Sequence, residues 1–110
     1  MSDFIADREY MPGTIMQVGG DKEVTEARQI EKIIGITTRK SATKPGVVLI
    51  GRVECLVNGP INKGMKVGLG DHAGWGKAVI RPKPHFAIAL ADKTDDGLGL
   101  VEVIMVSSRI

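Results

Sequence analysis

Few groups of side chains in this sequence are candidates for a catalytic site. Cys55 could form a nucleophile–base pair with His72 or His85, in which the imidazole activates the thiol. Cys55, however, lies in the middle of an apolar and largely β-branched run, where a free cysteine usually behaves as a small hydrophobic residue. We therefore expect Cys55 to fill the core, and the sequence predicts no enzyme activity.

Metal and cofactor sites are equally poorly supported by the residue spacing. His72, His85 and Asp71 are metal-ligating types, but their spacing follows no metal-binding pattern and further ligands are not clustered near them. Residues 68–76, G-L-G-D-H-A-G-W-G, resemble a phosphate loop only in their glycines, because a dinucleotide fingerprint opens directly into a helix and here a strand is predicted to follow. We expect neither a metal nor a cofactor.

The same glycine-dense loop carries Trp75, the single tryptophan of the chain. Trp75 could cover an end of the domain, anchor a neighbouring subunit, or stack on a sugar ring or a base. Basic residues follow and precede it, but without the interleaved aromatic residues of a nucleic-acid platform. We favour packing or an intersubunit contact for Trp75, with His72 beside it, and do not expect nucleic-acid binding.

The elements that must position these residues are organised around residues 47–67. Alternation within 47–58 predicts one long strand, and Asn58, Gly59 and Pro60 predict the turn that ends it. Gly51 marks a bulge or close backbone contact inside this strand. One face is uniformly apolar and includes Cys55, whereas the other becomes charged at Arg52 and Glu54. Those two residues are candidate contacts between subunits.

Short apolar runs separated by glycine and proline turns continue along the rest of the chain. Strands are predicted over 14–18, 23–27, 33–38, 64–68, 77–80, 85–91 and 100–106, with double-glycine and Asp-rich hairpin loops between some of them. Residues 28–32 favour a turn or a single helical turn. The predicted fold is all-β, a small sandwich or barrel of short strands. Residues 1–9 form an N-terminal arm or edge strand with Phe4 and Ile5 as candidate contacts, and residues 10–110 form one β domain.

Composition narrows the class of protein further. Aromatic residues make up only 4% of the 110 residues, so the core lacks bulky material and an oligomer is expected. The basic residues concentrate in the middle of the chain between acidic ends, which suits a solvated surface or a complementary contact with another copy. No signal peptide or segment of membrane-spanning length is recognisable, and a single cysteine permits no disulfide within the chain, which predicts synthesis in a reducing cytoplasm.

An ordered set of motifs resembles a module found at the C-terminal ends of phage tail fibres and spikes, especially those of phages of cyanobacteria. The carrying segments are D-R-E-Y at 7–10 with P-G-T at 12–14, G-G-D-K-E-V-T at 19–25, I-G-I at 34–36, L-I-G-R-V at 49–53, V-N-G-P-I-N-K-G at 57–64 and G-L-V-E-V at 99–103. A weaker resemblance, in the proline–glycine turn and the G-x-x-x-K-G turn, is to small capsid decoration proteins. Met65 stands where an acidic residue commonly follows that turn.

This resemblance implies a bacteriophage virion structural protein without a cofactor, made in the host bacterial cytoplasm. It implies a homotrimer that contacts other virion proteins, such as the major capsid protein or a tail-fibre protein, and no membrane. The resemblance also implies two alternatives, a fibre tip that binds a receptor or glycan and a folding chaperone for a fibre. Because Met1 precedes the motifs so closely, we expect no fibrous shaft and no self-cleavage.

Overall fold

The computed structural model describes residues 2–3, 6–20, 22–38, 46–48, 51–80 and 83–106. These ranges contain ten β-strands and one 3₁₀ turn. The strands are β1 Ser2–Asp3, β2 Ile15–Val18, β3 Val24–Glu26, β4 Ile33–Thr37, β5 Gly46–Val48, β6 Arg52–Asn58, β7 Lys66–Leu69, β8 Gly76–Val79, β9 Ala87–Ala89 and β10 Leu98–Met105. The 3₁₀ turn is Ile30–Lys32.

The strands form two layers. An antiparallel five-stranded sheet has the order β1-β5-β4-β2-β3, and the other five strands close into a barrel with the order β10-β6-β8-β7-β9. Within the barrel β6 and β8 are parallel, and the remaining described pairings are antiparallel. The predicted all-β fold of short strands is confirmed, as is a helical turn within residues 28–32.

Local turn chemistry accounts for the first hairpin. Gly19 and Gly20 both have positive φ, 138° and 80°, which glycine adopts without the steric cost of a side chain. This turn lets β2 pair antiparallel with β3, so that Val18 lies opposite Val24. The double-glycine loop and its returning strand were both readable from the sequence.

The prediction of one long strand over 47–58 is wrong. β5 belongs to the open sheet, where it pairs with β4 and β1, whereas β6 belongs to the barrel. Gly51 has a φ of +117°, which breaks the extended chain just before β6 begins, and its carbonyl accepts a hydrogen bond from the Met105 N–H at 2.9 Å. The apolar run therefore changes layers between β5 and β6; Leu49 and Ile50 lie outside the described residues.

A common core joins the two layers. Ile15 and Ile36 from the sheet pack with Val57, Phe86 and Val103 from the barrel side, and all five are fully buried. A barrel of five strands has a narrow interior, since diameter grows with strand number, and small side chains fit it. On β9 the inward residues are accordingly the alanines, Ala87 and Ala89, each about 1% exposed or less.

Backbone hydrogen bonds also fix the sheet to the barrel at one point. The Ile15 N–H donates to the Gly74 carbonyl at 2.8 Å, and the Gly74 N–H donates to the Ala27 carbonyl at 2.9 Å. The Ala27 N–H in turn donates to the Ile15 carbonyl at 2.8 Å. Gly74 belongs to the loop between β7 and β8, so this triangle holds that loop against the open sheet.

Candidate functional site

The loop of residues 70–75 presents the two aromatic candidates side by side. The His72 and Trp75 rings stack with centroids 3.8 Å apart and planes at 17°. Two backbone bonds close the loop beneath them, from the Gly70 N–H to the Trp75 carbonyl at 2.8 Å and from the Trp75 N–H to the His72 carbonyl at 3.2 Å. His72 is exposed and Trp75 is half-buried. The two candidate residues of this loop are therefore in direct contact with each other.

A groove of about 260 Å³ lies beside Trp75. Its lining combines apolar and charged groups from four parts of the chain: Arg8, Glu9, Tyr10, Met11, Thr14, Glu26, Leu56 and Trp75. Arg8 extends over the ring of Tyr10, with its guanidinium carbon 5.2 Å from the ring centroid. One face of Trp75 is occupied by His72, so a ligand in the groove would meet its edge or its other face.

Hydrogen bonds hold the N-terminal segment at the rim of this groove. The Tyr10 hydroxyl donates to Asp7 Oδ1 at 2.6 Å, and the Thr25 hydroxyl donates to Asp7 Oδ2 at 2.9 Å. Desolvation opposes ionisation of Asp7, but these hydrogen bonds outweigh it and lower the pKa of the carboxyl below 3.8. Sequence reasoning used D-R-E-Y only as part of a resemblance and missed this network.

The lowered pKa of Asp7 predicts how stability depends on pH. Because the folded pKa lies below the unfolded one, the carboxylate stabilises the protein above about pH 4, and this contribution is lost as the pH falls through the folded pKa. Asp7→Asn should lower the free energy of unfolding by about 1–2 kcal/mol at pH 7, and the difference from the wild type should shrink at low pH. Denaturant unfolding at a series of pH values measures it. Asp96→Asn, at an exposed carboxyl, is the control, and a pH-independent deficit for Asp7→Asn would contradict the prediction.

Arg8 and Arg28 both form ion pairs with one carboxylate, that of Glu26, the Arg28 pair at 3.1 Å. The arginine side chains are each 61% exposed, whereas the Glu26 side chain is 12% exposed. Two exposed guanidinium groups therefore lie above a mostly buried carboxylate. The sequence offered no signal for this cluster, since Arg8 is 18 residues from Glu26 along the chain.

Arg52 and Glu54 both point outward from β6, as the alternation predicted. Arg52 forms an ion pair with Glu102 of β10 at 2.9 Å, with both side chains well exposed. Glu54 lies directly opposite Glu102 in the strand register. Glu54 also lines a second groove of about 250 Å³ with Pro12, Gly13, Thr37, Thr38, Val53 and Leu100. The groove that Glu54 lines therefore shares no lining residue with the groove beside Trp75.

The N-terminal candidates Phe4 and Ile5 lie outside the described residues. On either side of them the chain is part of the open sheet: β1 pairs with β5, and Ala6 forms a bridge with Val24. The Asp7 N–H donates to the Val24 carbonyl at 3.3 Å. The segment before Tyr10 therefore adds backbone pairing at both margins of the sheet.

Cys55 lies in the core and is fully buried on β6. Its thiol hydrogen-bonds the Leu56 carbonyl at 3.6 Å, and burial raises its pKa to about 12. His72 is on an exposed loop, and the half-buried His85 has its pKa lowered by desolvation and by the charge of Lys66. Among the residues that the structure describes, no three His, Cys, Asp or Glu side chains are placed to hold a metal ion.

Burial predicts that Cys55 is chemically inert in the folded protein. At pH 8 a thiol-specific reagent should react with Cys55 at least about 100-fold more slowly in buffer than in denaturant, because the thiolate is scarce and covered. The rate of absorbance change with a disulfide reagent measures this. A Glu31→Cys variant, whose added thiol is on an exposed turn, is the internal control; equal rates for the two thiols would refute the prediction.

Lys93 is a structural residue that the sequence did not reveal. Residues 92–97 were predicted as an Asp-rich hairpin loop, and the Lys93 side chain in this loop is only 7% exposed. Its ammonium group donates to the carbonyls of Gly59 (2.9 Å), Asp95 (3.0 Å) and Gly97 and lies 3.3 Å from an Asp95 carboxylate oxygen. The V-N-G-P turn after β6 and the loop before β10 are therefore tied together by one cation.

Comparison with solved structures relates this arrangement to a phage protein. The fold matches the head fibre gp8.5 N base of bacteriophage phi29 with a TM-score of 0.66 and 15% sequence identity, over 99% of this chain and 95% of that chain. At this identity the likeness shows a shared fold. No protein-family model matches the chain, and no curated protein matches it in sequence. No helix among the described residues is long and apolar enough to cross a membrane.

Proposed function

We propose that this protein is a bacteriophage virion structural protein, a head-fibre base, decoration or fibre-tip module that acts through protein–protein contacts in a homo-oligomer. The observation that carries the proposal is the fold shared with a phage head fibre base over nearly the full length of both chains. The ordered motifs that resemble phage fibre modules support it independently of the fold.

The distribution of buried and exposed residues also supports a binding role. Several large apolar side chains remain at the surface: Ile80 is 71% exposed, Met11 59% and Val18 58%. Exposed apolar side chains of this size are typical of contacts with other proteins when they form a contiguous patch with a polar rim. We propose the protein itself and a further virion protein as partners, and no catalytic reaction.

Labelled particles test the proposed function. Purified virions of the phage that encodes this chain, incubated with a gold-labelled antibody against it, should carry label at regular positions on the head or on a fibre. Particles made without the protein are the control and should be unlabelled. Absence of the protein from purified virions, by label and by mass spectrometry of the particles, would refute the proposal.

A second candidate function is recognition of a glycan on the host surface. The observation that favours it is the groove in which Trp75 and Tyr10 lie beside Arg8 and Glu26, since aromatic faces with charged hydrogen-bonding groups suit sugar rings. A glycan array with the wild type should then give hits that Trp75→Ala abolishes and that Ile80→Ala, an exposed apolar control, retains. An array without hits, or hits insensitive to Trp75→Ala, would exclude this function.

A further inference from the structure

The outer surface of the barrel has an acidic side, formed by the outward residues of β6 and β10. These residues are Arg52, Glu54, Leu100, Glu102 and Ile104. Leu100 is 40% exposed and Ile104 is 38% exposed, so two aliphatic side chains accompany the charges. The two carboxylates lie opposite each other in register, an arrangement that is unfavourable unless cations approach it. Arg52 supplies one such cation, to Glu102.

The barrel also has a basic side, formed by β7, β8 and the turn that follows β8. Its residues are Lys66, Lys77, Ile80 and Lys83, and Lys77 lies 3.5 Å from the exposed carboxylate of Asp71. Val67 is fully buried, so the residues on either side of it in β7, Lys66 and Gly68, face outward. Lys77 of β8 lies opposite Gly68 in the strand register and therefore also faces outward. The Lys83 N–H donates to the Ile80 carbonyl at 3.0 Å, so Lys83 lies next to Ile80. Among the described residues, Ile80 has the most exposed large apolar side chain.

Barrel order places β7 across the barrel from the acidic side, whereas β8 lies directly beside β6. β6 and β10 are neighbours, whereas β7 is separated from β6 by β8 and from β10 by β9. The acidic side carries carboxylates and aliphatic side chains, and the basic side carries ammonium groups and one aliphatic side chain. The acidic side of one molecule is therefore complementary to the basic side of a translated and rotated copy. Contacts of this head-to-tail type close into rings when the rotation permits.

We infer that the acidic side of one copy binds the basic side of the next copy of this chain. Glu54 and Glu102 then face Lys66 and Lys77 of the neighbour. In the same contact, Leu100 and Ile104 are covered by the side of the neighbour that carries Ile80. Opposite charges across such a contact set its direction and register, and the aliphatic residues supply the apolar area. The inference rests on the proposed homo-oligomer and names the surfaces that form it.

Charge reversal on one side, then on both, tests the contact. The first variant carries Glu54→Lys and Glu102→Lys, the second carries Lys66→Glu and Lys77→Glu, and the third carries all four changes. Each of the first two should associate at least about tenfold more weakly than the wild type in sedimentation velocity, because like charges then face each other. The third should recover association with itself but should not co-assemble with the wild type, since mixed contacts place like charges together.

Two controls keep the result interpretable. Glu31→Lys with Lys32→Glu, on the exposed 3₁₀ turn outside both sides, should leave association unchanged. Thermal melting establishes that each variant folds, and single Glu54→Lys and Lys77→Glu variants replace any double variant that does not. Association of the wild type should also weaken between low and high salt, as exposed charge pairs do.

Wild-type association in the first two variants, or a four-fold variant that mixes freely with the wild type, would overturn the inference. Either result, with the protein still found on labelled virions, would leave the proposed virion role standing and remove only these surfaces. A wild-type chain that stays monomeric at all concentrations and salt levels would overturn both the inference and the homo-oligomer part of the proposed function.

Discussion

Replacing Lys93 by methionine is expected to lower the free energy of unfolding by about 3–5 kcal/mol. The ammonium group is enclosed and satisfies the carbonyls of Gly59, Asp95 and Gly97 together. Methionine has a similar length but offers no donor, so these acceptors would lose a charge-assisted partner in a site that water reaches poorly. The deficit should appear in equilibrium unfolding with guanidinium chloride, at neutral pH.

A matched substitution at Lys63 separates the effect of the site from the effect of the residue type. Lys63 is exposed, and its backbone N–H, rather than its side chain, donates to Asp92 Oδ1 at 2.6 Å. Lys63→Met should therefore change the free energy of unfolding by less than about 0.5 kcal/mol. Equal effects of the two substitutions would show that the buried ammonium group does not hold the two loops together.

Gly74→Ala is the second substitution with a large expected effect, a loss of about 2–4 kcal/mol in the free energy of unfolding. Gly74 has a φ of +82°, which a side chain disfavours, and it is buried between the layers. A Cβ there would lie 2.8 Å from Thr14 Cγ2 and 3.2 Å from Glu26 Cβ, so the hydrogen-bonded junction with Ile15 would have to open. Chemical denaturation measures the loss, and tryptophan fluorescence reports displacement of the adjacent Trp75.

Gly64→Ala provides the control for backbone strain alone. Gly64 has a similar φ of +91°, but a Cβ built on it meets nothing within 4 Å. Its substitution should cost about 1–2 kcal/mol, from the left-handed backbone conformation. If Gly74→Ala costs no more than Gly64→Ala, the close packing at the junction does not contribute, and the account of how the aromatic loop is positioned is wrong.

Local sequence was sufficient for most of the strands and turns. The double glycine at 19–20 predicted the β2–β3 hairpin, because few other residues adopt its backbone conformation. Alternation over 52–58 predicted that Arg52 and Glu54 face outward and Cys55 inward, since successive side chains of a strand point to opposite sides. Leu56 departs from the pattern: it is on the outward face yet buried, because the Gly13 segment packs against it.

The sequence did not reveal which strands pair with one another. Gly51 was recognised as an irregularity in a strand. The sequence did not show that the chain passes from the sheet to the barrel between β5 and β6, where Gly51 has a positive φ. The alternation over 85–91 was visible, yet the choice of Ala87 and Ala89 as the inward residues depends on how narrow the closed barrel is. The layer change and the inward direction of the two alanines both depend on how the strands pair into a sheet and a closed barrel. That pairing involves residues distant along the chain.

The sequence by itself therefore determined an all-β chain of short strands, its hairpin turns and the outward direction of Arg52 and Glu54. Only the tertiary structure decided that Lys93 is buried between two loops, that His72 stacks on Trp75, and that the basic strand β7 lies across the barrel from the acidic strands β6 and β10. The physical reason is that turn and strand preferences depend on neighbouring residues, whereas burial and charge placement depend on which surfaces meet.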